Sequence, residues 1–347
     1  MSRLNYNIEQ LIKSVITLDN LRPHVKTHKS EAVTRLLIEA GLYKFKCATI
    51  AEAEMLAKAS ARDVLLAYTP VGPKRLRFLE LMKQYPATKF SCLLDSKEGA
   101  AVLSAIAQAH HQSAEVYIDL NVGMNRTGIL PEQALSLAEE IERLPGLSLK
   151  GLHAYDGHVD ESDPWQRKAI GDEIYRRVKV LQARLEVKGM VGLKLVMGGS
   201  PTFPVYASYT DVECSPGTFV FWDDNYLTAF PDQDFLPAAL IMGRVISLPA
   251  PDLLSIDIGH KAVASERSID RRIRFLNGAE LKPVSHSEEH LVVRVPIDHG
   301  YKTGDIMYGL PAHICPTVAL YQEAVVIENH QAVAVWEVTA RNRKLSV

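Results

Sequence analysis

The sequence predicts an α/β protein: a (β/α)8 barrel followed by a mostly antiparallel all-β domain. Three observations carry that prediction. Over the first two thirds of the chain, strand-like apolar runs alternate with helical stretches, an order that implies parallel strands joined by right-handed crossovers. Eight such units fit into roughly 215 residues, which suits a closed barrel; an open doubly wound sheet is the alternative, but no G-x-G-x-x-G follows the first strand. Beyond about Phe235 the segments become short and β-branched, punctuated by Gly, Pro, Asn and Asp, and helical periodicity nearly vanishes. Residues 1–234 are thus expected to form the barrel and residues 235–347 the β domain.

Asn5 to Ile16 reads as an amphipathic helix. It leads into a strand built around Arg22-Pro23-His24-Val25-Lys26-Thr27-His28-Lys29. Pro23 fixes its own φ and drives Arg22 towards an extended conformation. Alternation then puts His24, Lys26 and His28 on one side and Val25 and Thr27 on the other. After a helical run from Ser30 to Ala40 comes a second strand, Tyr43 to Ala48, with Thr49-Ile50-Ala51-Glu52 as a capping box for the next helix. Further strands are expected at Asp63–Tyr68, Lys89–Leu94, Glu115–Leu120, Leu147–Tyr155, Leu193–Met197 and Asp211–Cys214. Helices fall between them, at Lys74–Tyr85, after Asp95, after Pro131, from about Asp163 to Lys188, and briefly after Pro201. In the β domain the strands are Ala238–Val245, Leu253–Ile258, Leu291–Val295, Ala324–Ile327 and Ala332–Val338, with Glu266–Asn277 a charged surface hairpin or loop.

Composition excludes several function classes. A net charge of -2 provides no basic field for nucleic acid, and no lysine/arginine run carries interleaved aromatics. The opening MSRLNYNIEQ holds no apolar run fit for a signal peptide, and no stretch is long enough to span a bilayer. The four cysteines are scattered and never spaced C-x-x-C, which points to a reducing cytoplasm rather than a disulfide framework. Cys47, Cys92 and Cys214 lie in strand-like runs as small core residues.

In barrels of this kind the chemistry sits at the C-terminal strand ends, often with a phosphate after strands seven and eight. Lys26 lies on strand one, between two imidazoles, where an ammonium loses its proton more easily than in water. The reading that follows is a pyridoxal 5'-phosphate cofactor carried by Lys26. Arg126, flanked by Asn125 and near two glycines, is expected to reach inward to a phenolate or carboxylate. Tyr155, followed by Asp156-Gly157-His158, reads as a wall of the site. Gly198 and Gly199 before Ser200 as an N-cap would turn backbone N–H groups towards an anion. Ser215-Pro216-Gly217-Thr218 follows strand eight. In the β domain, His313 and Cys315 are two residues apart, so on a strand they face the same way and can share one cation. Two ligands are too few for a structural site, so water or substrate completes the set, and the thiolate favours zinc.

Taken together, R-P-H-x-K-T-H-K, G-M-N-R-T-G, Y-D-G-H, G-G-S, S-P-G-T and the late P-x-H-x-C-P-T resemble the eukaryotic-type D-serine dehydratase and D-threonine aldolase family, which shares the fold-type III scaffold of alanine racemase. The resemblance covers nearly the whole chain. It implies that Lys26 links covalently to the cofactor and then acts as the base on Cα. By the same resemblance Gly198, Gly199 and Ser200 cradle the phosphate, Tyr155 packs on the pyridine ring, Arg126 lies near the phenolic oxygen, and His313 and Cys315 hold the metal. Dehydratases of this family carry His and Cys at the metal, whereas the well-known aldolases carry His and Asp, so Cys315 tilts the reading towards dehydration. There are departures. Relatives begin with an apolar strand ahead of the first helix, Asn121 stands where aspartate is common, and Ser215 replaces the arginine that alanine racemases place against the pyridine nitrogen. The resemblance further implies a small D-amino acid substrate and a homodimer. A racemase and a non-catalytic pyridoxal phosphate carrier remain the rival readings.

Overall fold

The computed structural model describes residues 1–347 and divides into two compact units. One contains Leu11–Gly217 together with Thr339–Val347, and the other Met1–Gln10 together with Thr218–Val338. A single cut after residue 234 does not describe this division, because each unit recruits one chain terminus. In the β unit Asn7 Nδ2 donates to the Leu236 carbonyl at 2.7 Å and Leu236 N donates back to Asn7 Oδ1 at 2.8 Å. Thr339 and Ala340 serve the barrel unit, where Ala340 N donates to the Lys29 carbonyl at 2.9 Å.

The first helix, α1, runs over Ser2–Lys13, a register three residues ahead of the sequence expectation. Beyond it the barrel unit follows the alternating order: α2 (Glu31–Glu39), β1 (Lys44–Cys47), α3 (Ile50–Lys58), β2 (Asp63–Leu66), α4 (Lys74–Gln84), β3 (Lys89–Leu94), α5 (Lys97–Ala109), β4 (Ala114–Asp119), α6 (Pro131–Arg143), β5 (Leu147–Ala154), α7 (Pro164–Val187), β6 (Lys194–Met197), α8 (Phe203–Tyr206) and β7 (Val212–Cys214). The seven strands form one parallel sheet in sequence order. The helices start where local chemistry says they should. Thr49 Oγ1 accepts from Glu52 N, Ser96 Oγ accepts from Gly99 N, Asp163 caps α7, and proline occupies the first turn of α6 and α7. The capping box around Thr49 is displaced by one residue, since Glu52 Oε2 accepts from Ala48 N rather than from Thr49 N.

The eighth stave is the segment 21–24. Leu21 pairs in parallel with Cys214 on one side, and His24 pairs with Lys46 on the other. Arg22 N donates to the Cys214 carbonyl and Lys46 N to the Pro23 carbonyl, both at 2.9 Å, so the two free edges of the sheet are joined. The expected strand nonetheless stops at His24. Val25–Thr27 is a single 3-10 turn, and Lys29 takes a left-handed φ of 49°. Imidazoles cause this break: His24 Nδ1 accepts from Lys26 N at 3.2 Å and His28 Nδ1 from Ser30 N at 3.1 Å, offering the backbone local partners in place of a ladder. Leu65, Leu93, Tyr117 and Val196 pack together as a cluster of inward-facing side chains.

After α9 (Asp224–Ala229), the β unit contributes β8 (Ile241–Ala250), β9 (Leu253–Ile256), β10 (Ile273–Phe275), β11 (Lys282–His286), β12 (Leu291–Arg294) and β13 (Ile306–Pro311), then α10 (Ile314–Val318) and the hairpin β14 (Glu323–Glu328) to β15 (Gln331–Glu337). The first six strands form an antiparallel sheet in the order β10-β13-β8-β9-β12-β11, and the hairpin stands as a separate two-stranded sheet. The sheet's core is aliphatic, with Val245, Leu254, Ile256, Val293 and Met307 at its centre. The charged stretch 266–277 holds a 3-10 turn and β10.

Candidate active site

Every barrel residue singled out from the sequence lies at a C-terminal strand end. Lys26 follows the closing stave, Arg126 the end of β4, Tyr155 the end of β5, Gly198–Ser200 the end of β6, and Ser215–Gly217 the end of β7. Three basic side chains surround the Tyr155 ring. Lys26 Nζ lies 5.6 Å from its centroid, Lys46 Nζ 5.5 Å and Arg126 Cζ 4.9 Å. Lys26 is half-buried and Arg126 is exposed at the rim. A small cleft opens beside them, lined among others by Asp119, Met124, Arg126, His153 and Tyr155.

The glycine loop is held by packing as much as by conformation. Gly198 has φ +75°, and a Cβ there would sit 2.6 Å from Tyr206 Cδ2, while one on Gly199 would sit 2.9 Å from Tyr155 Cε2. Ser200 is not the helix cap: Thr202 occupies that position, and Ser200 Oγ instead accepts from Gly217 N at 3.2 Å. That bond ties the loop after β6 to the loop after β7. Asp156 is buried beneath, accepting from Thr202 Oγ1 at 2.9 Å and from Tyr206 OH at 2.7 Å. Burial raises its pKa despite those donors.

Sequence reasoning missed the group behind the Tyr155 ring. Lys46 pairs in register with Leu65 of the interior cluster, so its side chain points into the barrel, where it is 1% exposed. It reaches His153 Nε2 at 3.4 Å, His153 Nδ1 reaches Asp119 Oδ1 at 2.7 Å, and Thr127 Oγ1 donates to Asp119 Oδ2 at 2.8 Å. A carboxylate only accepts, so His153 carries its proton on Nδ1 and offers Nε2 to the lysine. Asp119 is held below its ordinary pKa: burial works against ionisation, but the His153 and Thr127 hydrogen bonds outweigh it. Burial first, and the charge of Lys26 second, lower Lys46 to about 7. His24 is driven well below its usual value by burial and by the charges of Lys26 and Lys46. The sequence marks Tyr43–Ala48 as a strand but assigns its lysines no direction; the register with β2 supplies it.

The barrel residues fit a phosphorylated pyridine cofactor. Three basic side chains converge on the one aromatic ring at the strand ends, and the buried Ser215 Oγ has no hydrogen-bond partner. In the β unit, His313 and Cys315 are not on a strand as expected. The strand β13 ends at Pro311, and His313 stands at the N-cap position of the short helix α10 without a side-chain capping bond. The pair still meets, because the turn brings the Cys315 side chain into hydrogen-bond contact with the imidazole. Glu266 Oε1 lies 2.6 Å from His313 Nδ1, so Nε2 is the nitrogen that could serve a metal together with Cys315, the pattern by which a carboxylate orients a metal-binding histidine. Burial works to lower the His313 pKa, but Cys315 and Glu266 lift it to about 9. Asp223 anchors this corner, accepting from Tyr226 N at 2.9 Å and from Ile314 N at 3.1 Å, and Thr218 Oγ1 lies 3.7 Å from Cys315 Sγ. No group of three or more His, Cys, Asp or Glu side chains is arranged to hold a metal, so this unit offers two donors and leaves the remaining positions to smaller ligands.

Comparison with known proteins agrees with this geometry. Residues 1–224 match the family model described as alanine racemase, N-terminal domain, and residues 238–327 match a putative serine dehydratase domain. The chain is 29% identical over 336 residues to a 3-hydroxy-D-aspartate aldolase of Paracoccus denitrificans (strain Pd 1222), covering 93% of this chain and 85% of that one. It is 27% identical over 330 residues to a D-threonine aldolase of Arthrobacter sp, covering 92% and 85%. The crystal structure of D-threonine aldolase from Filomicrobium marinum shares the fold, with a TM-score of 0.90 at 22% identity over 99% of this chain and 93% of that one. Because the first match runs unbroken from α1 past β7, through each of the strand-end loops just described, the chain belongs to the alanine racemase N-terminal-domain family, the fold-type III group of pyridoxal phosphate proteins.

Proposed function

We propose that this protein is a pyridoxal phosphate- and metal-dependent lyase of D-3-hydroxy amino acids, and that it dehydrates a D-serine-like substrate to a keto acid and ammonia. The observation that carries the reading is the convergence of Lys26 and Arg126 on the Tyr155 ring at the strand ends. The lyase class is supported by the relatives, which are aldolases of D-3-hydroxy amino acids, and by the serine dehydratase match over the β unit. When bound, the cofactor supplies an electron sink for charge developing at the substrate Cα, and a divalent metal supplies a Lewis acid for the 3-hydroxyl.

The chain's own residues do the rest. Lys26 would hold the cofactor, and its Nζ would take the proton from the substrate Cα. Gly198, Gly199 and Ser200, tied to Gly217, receive the phosphate. Tyr155 walls the ring, Arg126 answers its phenolic oxygen, and Ser215 offers a free hydroxyl to a ring heteroatom. His313 Nε2 and the Cys315 thiolate hold the metal, and that donor pair suits zinc. Aldol cleavage is the second reading, favoured by the names of the relatives; it differs in that the hydroxyl loses its proton and the Cα–Cβ bond breaks.

Incubation with D-serine, D-threonine and D-alanine, scoring pyruvate, glycine plus aldehyde, and racemised product, separates the readings. Pyruvate from D-serine that disappears with a chelator supports dehydration. Glycine from D-threonine moves the assignment to aldol cleavage, and chelator-insensitive racemisation of D-alanine removes the lyase. Lys26→Ala is expected to lose the yellow absorption of the bound cofactor with unchanged circular dichroism; a variant still yellow after dialysis would end the central assignment.

A further inference from the structure

A lysine that is 1% exposed and has no carboxylate partner within ion-pair distance is a costly residue that methionine would replace without loss of packing. Lys46 is such a residue. Its one side-chain hydrogen-bond partner is His153 Nε2, itself fixed by Asp119, and its Nζ shares the Tyr155 ring with Lys26 and Arg126. The groups that act on it come from every side: His153 on β5, Asp119 on β4 and Asp156 after β5, with Lys26, His24 and Arg22 on or just past the closing stave. Around the ring the basic groups outnumber the nearby carboxylates available to answer them, since Asp156 is already committed to Thr202 and Tyr206.

We propose that Lys46 is a proton-linked anion anchor: it takes up a proton from solvent when an anionic pyridine ligand enters the site, and His153 with Asp119 holds its Nζ in position to do so. No covalent bond changes; the lone pair on Nζ accepts a proton from a buffer acid. Burial and the Lys26 charge leave the amine about half deprotonated at pH 7 and mostly deprotonated at pH 8 in the ligand-free chain, and an incoming anion removes that disadvantage. His153 Nε2 accepts from Nζ and donates nothing to it, so the amine's lone pair stays open to a proton. Lys46 is therefore a positioning residue whose charge state reports occupancy.

This inference rests on the cofactor reading, and pyridoxine 5'-phosphate tests the two separately because it lacks the aldehyde that Lys26 would bond. Calorimetric titration of the full chain in two buffers of different ionisation heat counts protons taken up per ligand bound. Relative to Lys46→Met, the wild type is expected to take up about one extra proton at pH 8 and about half of one at pH 7. Lys46→Arg, permanently charged, is expected to bind without that extra uptake, and it decides the matter if the methionine variant does not fold. Equal uptake by wild type and both variants overturns the anchor while leaving the cofactor reading intact. Absence of binding to the wild type overturns both.

Discussion

Lys46 also bears on stability. Its folded pKa, about 7, lies below that of a lysine in an unfolded chain, so the unfolded state binds more protons between those two values. Stability contributed through this residue therefore rises with pH above 7, by up to about 1.4 kcal/mol per pH unit, and is lowest at and below pH 7. Lys46→Met is expected to be more stable than the wild type at pH 7 in the absence of ligand, and to lose that slope. Urea unfolding at pH 7 and pH 9 measures both, and a wild-type advantage at pH 7 would contradict the assigned burial cost. His28 and Asp223 titrate under the same influence, the imidazole pushed down to about 3 and the carboxyl up to about 6 by burial.

Among the elements, the closing stave is the one with an electrostatic clasp. Arg22 is 1% exposed and bridges two strands at once, with Nε 2.6 Å from Glu213 Oε2 on β7 and Nη1 2.6 Å from Asp63 Oδ1 on β2. Lys44 on β1 adds a second cation to Glu213 at 2.8 Å. The two carboxylates hold the guanidinium charged despite burial. Removing one partner of a buried pair leaves an uncompensated charge, so Arg22→Met is expected to cost about 3–5 kcal/mol. Chemical denaturation of the ligand-free chain checks this. Asp63→Asn, which leaves Glu213 and Lys44 in place, is expected to cost less.

At the scale of the whole molecule, the division into two units has a measurable signature. The helices lie chiefly in the barrel unit, so circular dichroism at helical wavelengths follows that unit. Trp222 is fully buried in the β unit, whereas Trp165 on α7 is 80% exposed, so a fluorescence change on unfolding reports mainly the β unit. Two compact units are expected to give transitions that do not coincide by the two probes. Adding pyridoxal 5'-phosphate should raise the circular dichroism midpoint first, since its proposed ligands lie in the barrel unit and binding to the native state adds stability by mass action. Coincident transitions that shift together would mean one cooperative molecule. No helix is long and apolar enough to cross a membrane.

What the sequence determined by itself was whatever depends on short range. Alternating apolar runs and capping residues such as Thr49, Ser96 and Asp163 set the order of strands and helices, because periodicity and caps act within one or two turns. The position of Lys26, Arg126, Tyr155 and the Gly198-Gly199 pair at strand ends was legible for the same reason. The tertiary structure alone decided three things. Imidazole-to-backbone bonds ended the first stave at His24 and put Lys26 on a turn. A helix start at His313 replaced the expected strand, yet still brought Cys315 to it. Register with Leu65 turned Lys46 inward to His153. The first sets a bond only two positions away against a ladder whose partner strands lie elsewhere in the chain, the last depends on a partner more than 100 positions away, and the cost of burying a charge is set by what surrounds it in space, which no local pattern records.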